Sequence, residues 1–454
     1  MPLSNHRRGQ VGMTRDDQVA RRLFLLSIVL AAFAYGFAAG SYELFPHRQL
    51  QFAISSLTEV WGDRETLLEG TPNQFLRPSL YDGEGVTVNA SDASPGLTLI
   101  SGFFEDSNEL RLIRLDGSVV QRWPVRFSEL FPSTEHLHQP PATDWNVDTH
   151  GAVALPDGSV LFNFEYAGLV RLDRCGEVSW TLPTMTHHSI EPSELGGFWV
   201  GGRRIVRNPM SLPPYLGPYE EDLLLRISPD GAILAELSVP ELLIENGLAW
   251  LLSATGSFEV NSVNSSEALG YLGEIVHLND IEELPADLAG DFEDFAPGDL
   301  LVSLRHRNLL LVVDPDERSV KWHRTGPWIR QHDPDFQPGG TITVFNNNTD
   351  ERGGKVFGGT NVLEIDPRGG AVEVLYGDAA DEWMYTPVRG KHQVLPNGNL
   401  LLTVFREGRV VEVDADGEVV WQFVNRYNDA AVTTVSDAVR YPPDYFVNVD
   451  WTCD

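Results

Sequence analysis

The sequence predicts an all-β fold, a six-bladed β-propeller carried behind an N-terminal transmembrane helix. Three observations predict it: an uncharged apolar run near the start, a four-strand unit punctuated by turn dipeptides that recurs through the rest of the chain, and a repeated D-x-x-G-x-V-x-W ending of that unit. With 454 residues, 42% of them apolar, the chain is long enough for a well-buried core. Its 33 Lys and Arg stand against 65 Asp and Glu, a formal net charge of -32. A phosphate backbone meets a repulsive average field, so general nucleic-acid binding is disfavoured. The two cysteines, Cys175 and Cys453, are too few for a disulfide scaffold or a four-thiolate zinc site. The sequence leaves open whether they pair.

The N-terminal element comes first. Residues 23–40, LFLLSIVLAAFAYGFAAG, hold no charge, and as a helix they cover roughly 27 Å, close to the hydrocarbon thickness of a bilayer. Arg7, Arg8, Arg15, Arg21 and Arg22 precede the run, so the positive-inside rule keeps residues 1–22 cytoplasmic and sends the rest to the periplasmic or extracytoplasmic side. The run exceeds a usual signal h-region, which favours a retained single-pass anchor. Ala38, Ala39 and Gly40 also fit the end of a cleavable signal peptide, and either reading exports the same domain. Residues 41–80 read as a partly helical stalk or linker, with apolar residues at helical spacing between Pro46 and Leu68.

Residues 81–454 carry the repeat. In the copy His392 to Phe423, HQVL is followed by PNGN, LLLTVF by REG, RVVEVD by ADG, and EVVWQF closes the unit. Each break supplies the Gly, Asn or Asp that a tight hairpin needs for positive φ. The copy from His150 to Pro183 has the same order of turns and the same last-strand Trp, and weaker copies start at Gly96, His188, His277 and His332. Six such units closing radially protect the sheet edges that a linear array exposes. The competing pair of β-sandwiches does not call for one ending in unit after unit. DPDER, DADGE and SPDG resemble fragments of calcium loops but lack the following bidentate Glu and read as hairpin turns. Residues 240–276 interrupt the repeat with a helical half and a Ser/Asn-rich half, a lid or a packing insertion. The tail after Tyr427, with SDAVRYPPDYF, is expected to give a final strand joining last unit to first.

Five units open with a histidine: His150, His188, His277, His332 and His392. If the opening strand is innermost, five imidazoles gather at one mouth of the central channel. Taken singly, a histidine there is a satisfied polar residue in a wet channel, and that is the preferred reading for His150 and His392 individually. Zinc held by three histidines is chemically possible, yet no pair has the i, i+4 spacing of a helical metal site. The company of these histidines points instead to an anion pocket: HLND with Asn279, SLRHRN with Arg305 and His306, and QHDPDFQPGG with Gln331.

HLNDIE, LLVSLRHRNLLLVVD, SVKWHRTG, QHDPDFQPGGTITVFNN and KHQVLPNGNLLL, in this order, resemble the bacterial arylsulfate sulfotransferase family, periplasmic six-bladed propellers that move a sulfuryl group between phenols. The resemblance spans roughly residues 85–445. It implies a transiently sulfurylated His332, with His277, Asn279 and Arg305 in the site, and His188 as the histidine opening the preceding unit, His187 being an adjacent alternative. It also implies a small-molecule aryl sulfate donor, a phenolic acceptor, and no cofactor, neither metal nor the nucleotide donor PAPS. Asp280 stands where the family commonly has a small hydroxyl residue, and the 240–276 insertion directly precedes HLND. A hydrolase, or a non-catalytic membrane-tethered binding or scaffold propeller, are the alternative readings. The oligomeric state stays open.

Overall fold

The computed structural model describes residues 15–41, 44–46, 50, 54, 70, 72–137, 140–207, 219–253, 274–350, 352–379, 382–446 and 449–453. The chain divides into two compact units, Met1–Thr71 and Pro72–Asp454. In the first, Arg15–Ser41 form one helix that is long and apolar enough to cross a membrane, a requirement that a signal sequence near an N-terminus also meets. Most of the expected stalk helix and residues 1–14 lie outside the described residues.

The second unit is all-β. Among the described residues it holds six antiparallel sheets of four or five strands and a small three-stranded one. Sheet 1 is Val435–Tyr441, Leu97–Phe104, Ser107–Arg114 and Val119–Val125. Sheet 2 runs through Thr149–Ala154, Val160–Phe164, Gly168–Leu172 and Val178–Leu182. Sheet 3 comprises Thr186–Pro192, Phe198–Val206, Tyr219–Ile227 and Ile233–Ser238. Sheet 4 is Leu278–Glu283, Leu300–Leu304, Leu309–Asp314 and Ser319–Thr325. Sheet 5 contains His332–Gln337, Thr341–Asn346, Asn361–Ile365 and Val372–Tyr376. In sheet 6, Lys391–Val394, Leu400–Val404, Arg409–Val413 and Val419–Val424 are joined by an outer strand, Gly85–Asn89.

The opening strands neighbour one another in order from sheet 2 to sheet 6, and the opening strand of sheet 1, drawn from the chain's tail, touches those of sheets 6 and 2. The tail strand therefore does what the sequence leads one to expect: Val435–Tyr441 pair with Gly102–Leu97 and complete the first unit. The sequence reading did not include the outer strand Gly85–Asn89, nor Leu76–Pro78, which precedes the expected start at 81 and pairs with Ala431–Thr433.

The repeated tryptophan has a physical reason. Trp180, Trp322 and Trp421 each donate their indole N–H to a backbone carbonyl in a turn of the next sheet, Pro229, Pro367 and Leu115 respectively. Trp123 does the same to Asp173. One side chain thus fills the gap between sheets and satisfies its polar edge across it. Apolar faces pack in the same pairwise way; one cluster joins Leu224 of sheet 3 to Val302 and Leu311 of sheet 4. Cys175 and Cys453 are bonded, with Cα atoms 5.6 Å apart, tying the tail to the last turn of sheet 2. The first half of the insertion is helical, Val239–Glu245 and Ala249–Ser253, with Leu242, Leu243, Leu251 and Leu252 buried in the core. Residues 254–273, which hold the Ser/Asn-rich half, lie outside the described residues.

Candidate active site

The opening strands are interrupted at one end in a recurrent way. Pairing with the second strand slips between Thr149 and Ala152, His187 and Ile190, Leu278 and Asp280, and His332 and Pro334. Left-handed residues sit at these places: Gly151 (φ 76°), His188 (φ 58°), His277 (φ 56°) and Asp333 (φ 52°). A bulge bends the strand and re-aims its side chains, and non-glycine residues held in that region concentrate at functional sites. At Gly151 a Cβ would lie 1.8 Å from the His188 carbonyl oxygen, so only glycine lets the His150 strand come this close to His188.

The bulges bring four imidazoles together. The His188 ring centroid lies 4.2 Å from that of His150, 5.1 Å from His277 and 6.2 Å from His332. His187 is behind, its Nδ1 2.8 Å from His188 Nδ1. His392 does not join them. It opens sheet 6 without a slip in pairing, and its ring meets Thr343 Oγ1 at 2.7 Å, Asp333 Oδ2 at 3.2 Å and Asp335 Oδ2 at 3.5 Å. The expected ring of five is therefore four plus one.

Arg305 and Asn279 enter from sheet 4. Arg305 starts a 3-10 turn after the second strand, is 7% exposed, and its backbone N–H donates to the His277 carbonyl at 2.9 Å. Asn279 is buried and donates to the Gln331 carbonyl at 2.7 Å, while the Gln331 amide donates to Ser303 Oγ and the Leu309 carbonyl. Together these bonds clamp sheet 4 to the residue before His332.

Burial holds His332 well below the usual imidazole range, and the Arg305 charge adds to it against the hydrogen bond that the ring makes to Asn347 Oδ1. Burial and the surrounding His150, His187, His277 and His332 do the same to His188. Both rings are thus neutral near pH 7, and neutral imidazole is the nucleophilic and basic form.

Three partners of these rings were not singled out in the sequence. Glu274, the last part of the insertion, bonds His277 Nδ1, and its carboxylate also meets Arg203 at 2.7 Å. Burial opposes its charge, but His277, Arg203 and His306 hold it well below the usual carboxylate range. Glu165 lies 2.8 Å from His150 Nδ1 and pairs with Arg389. Asn347 Oδ1 lies 2.5 Å from His332 Nδ1. Only the three-residue spacing of Glu274 and His277 is a local signal; the other partners are fifteen residues away along the chain.

Three groups place ligand atoms within 4.8 Å of one another: His150, Glu165 and His188; Glu274, His277 and His306; and Asp333, Asp335 and His392. Each carries a resident cation on its carboxylate. Arg389 is on Glu165, Arg203 on Glu274, and Lys391 lies 3.0 Å from Asp333. A divalent ion has to compete with a guanidinium or ammonium in every case. An anionic ligand meets the opposite situation, a guanidinium and several imidazoles with Arg305 acting on His332.

A sequence profile described as Arylsulfotransferase (ASST) matches residues 151–426. None of the curated proteins matches. Similar solved structures include a protein of unknown function from Bacteroides caccae, at 13% identity and TM-score 0.45, covering 76% of this chain and 98% of that one. Virginiamycin B lyase from Staphylococcus aureus is similar at 11% identity and TM-score 0.39, covering 77% and 88%. A chain of the nidogen/laminin complex is similar at 12% and 0.39, covering 74% and 97%.

Proposed function

The chain belongs to the arylsulfotransferase family, and from that premise we propose that it moves a sulfuryl group from an aryl sulfate to a phenolic acceptor through a sulfo-histidine on His332, without PAPS. The six sheets are the blades of one closed propeller. The Arg15–Ser41 helix is its single-pass anchor, with the propeller on the periplasmic or extracytoplasmic side.

The observation that carries the reading is the meeting of His188, His277 and His332, with ring centroids 5.1 and 6.2 Å from His188, beside the buried Arg305. Sulfuryl transfer, like phosphoryl transfer, develops charge on the departing phenolate and the equatorial oxygens. Arg305 and protonated His277 hold those oxygens. Neutral His332 attacks sulfur, the phenolate leaves, and the acceptor phenol then displaces His332 with His188 or His277 as general base. Asn279 acts by holding Gln331, and so His332, in place.

A chromogenic aryl sulfate tests this. Colour is expected only when a phenol is added, and His332→Ala should abolish release while leaving the circular-dichroism spectrum unchanged. Release without acceptor would make the protein a hydrolase. No release in either assay would leave the binding or scaffold reading.

A further inference from the structure

Among the bulged histidines, His332 has a different kind of partner. His277 and His150 each hold a carboxylate on Nδ1, whereas His332 holds an amide. The orientation of that amide is fixed. Asn347 is fully buried, and its Nδ2 donates to the backbone carbonyls of Thr386 and Arg389, both at 2.7 Å. Two carbonyls can only be met by the NH2 end, so the oxygen must face His332. Thr360 locks the loop by donating to the Asn347 carbonyl at 3.0 Å.

We propose that Asn347 is a positioning residue that holds His332 in the Nδ1–H tautomer, so that Nε2 carries the lone pair presented to sulfur. An amide oxygen can only accept, so the 2.5 Å contact requires the proton on Nδ1. This inference rests on the transfer reading above and adds the atom that reacts. Nε2 forms the N–S bond as the aryl S–O bond breaks, and the phenolate leaves with the electron pair, taking a proton from His277. The ring becomes an N-sulfoimidazolium, whose Nδ1–H stays on Asn347. In the second half the acceptor phenol gives its proton to His277, its oxygen bonds sulfur, and Nε2 recovers the pair.

The choice of an amide has a consequence. A carboxylate on Nδ1 favours imidazolium, which has no lone pair to offer; an amide orients the ring and leaves it neutral. His332 is also faced by Arg305, His277, His188 and His150, none of which carries negative charge.

The test is histidine 15N NMR on the full-length protein without substrate, with His332 assigned through His332→Gln. Nδ1 of His332 is expected to be protonated and Nε2 bare. Asn347→Ala should mix the tautomers and lower kcat about 10- to 100-fold, as for other partners that orient a functional imidazole, with KM little changed. A bare Nδ1 in the wild type, or tautomer and kcat unchanged in Asn347→Ala, overturns the inference even if transfer is observed. The NMR result does not depend on turnover, so an Nδ1–H ring in a protein that transfers no sulfuryl group overturns the functional reading instead.

Discussion

Sheets 5 and 6 open with histidines that look equivalent in sequence, His332 in QHDP and His392 in KHQV, yet the two rings have opposite surroundings. At His332 the pairing slips, Asp333 takes a left-handed conformation, and the ring joins three other imidazoles. At His392 the strand pairs in unbroken register, and the ring turns toward Asp333 and Asp335. Burial lowers the first below the usual range; for the second, Asp335 and Asp333 outweigh burial and raise it. One residue of bulge separates a ring lowered by burial from a ring raised by neighbouring carboxylates.

The largest expected effect breaks the comparison by deletion. His332→Ala should remove transfer altogether, whereas His392→Ala should leave kcat within a few-fold. Its cost should appear in urea unfolding instead, about 1–3 kcal/mol, because Thr343 and the nearby carboxylates lose a buried partner. Equal loss of transfer in both variants would mean that the two histidines share one site.

Next comes the carboxylate on a bulged ring. Glu274→Gln keeps the shape at His277 but removes the charge beside its Nδ1. If His277 exchanges the proton with the phenolate, kcat should fall about 10²-fold, within the range for a positioned acid–base group, and more for donors with poor leaving groups. A uniform fall across donors of different phenol pKa would place Glu274 outside proton transfer.

Titration separates the two surroundings without substrate. His332, His188 and His150 are lowered from 6.5, so the unfolded chain binds more protons below that value and stability should fall as pH drops through and below 6.5. His392 is raised from 6.5, so its contribution is complete below 6.5 and is lost as pH rises through its folded value. Urea unfolding across pH should therefore show a shallower acid slope in His332→Gln, and in His392→Gln a deficit that shrinks at alkaline pH. Parallel curves would contradict the assigned surroundings.

What was legible in the sequence follows the range of the interactions. Hairpin turns such as PNGN and ADG and the closing strand around Ser436 could be read because their signals lie within a few residues. His188, His277, His332 and Arg305 stand out by their repeat position and local motif. Glu165, Arg389 and Asn347 do not, since their roles arise from contacts between sheets: Arg389 and Glu165 are 224 residues apart. The satisfied polar reading preferred for both His150 and His392 fits His392 alone, and the difference was hidden because a bulge is a matter of backbone register that the local sequence does not reveal.

The smallest effect concerns the fourth strands of the same two sheets, Val419–Val424 and Val372–Tyr376. Trp421 of sheet 6 donates to Leu115 in sheet 1 and is fully buried. Counting four residues from the turn glycine, sheet 5 has Val374 at that place, 43% exposed. The tryptophan therefore links the sheet closing the chain's end to the sheet at its beginning, whereas Val374 packs against little. Trp421→Phe keeps most of the ring but leaves the Leu115 carbonyl without its donor, which should cost about 1 kcal/mol for the hydrogen bond and more for the smaller ring. Val374→Ala should stay within about 0.5 kcal/mol, as for an exposed site. Equal costs at the two positions would show that the repeat's tryptophan contributes nothing specific between sheets, and that the ring order is held by the apolar faces alone.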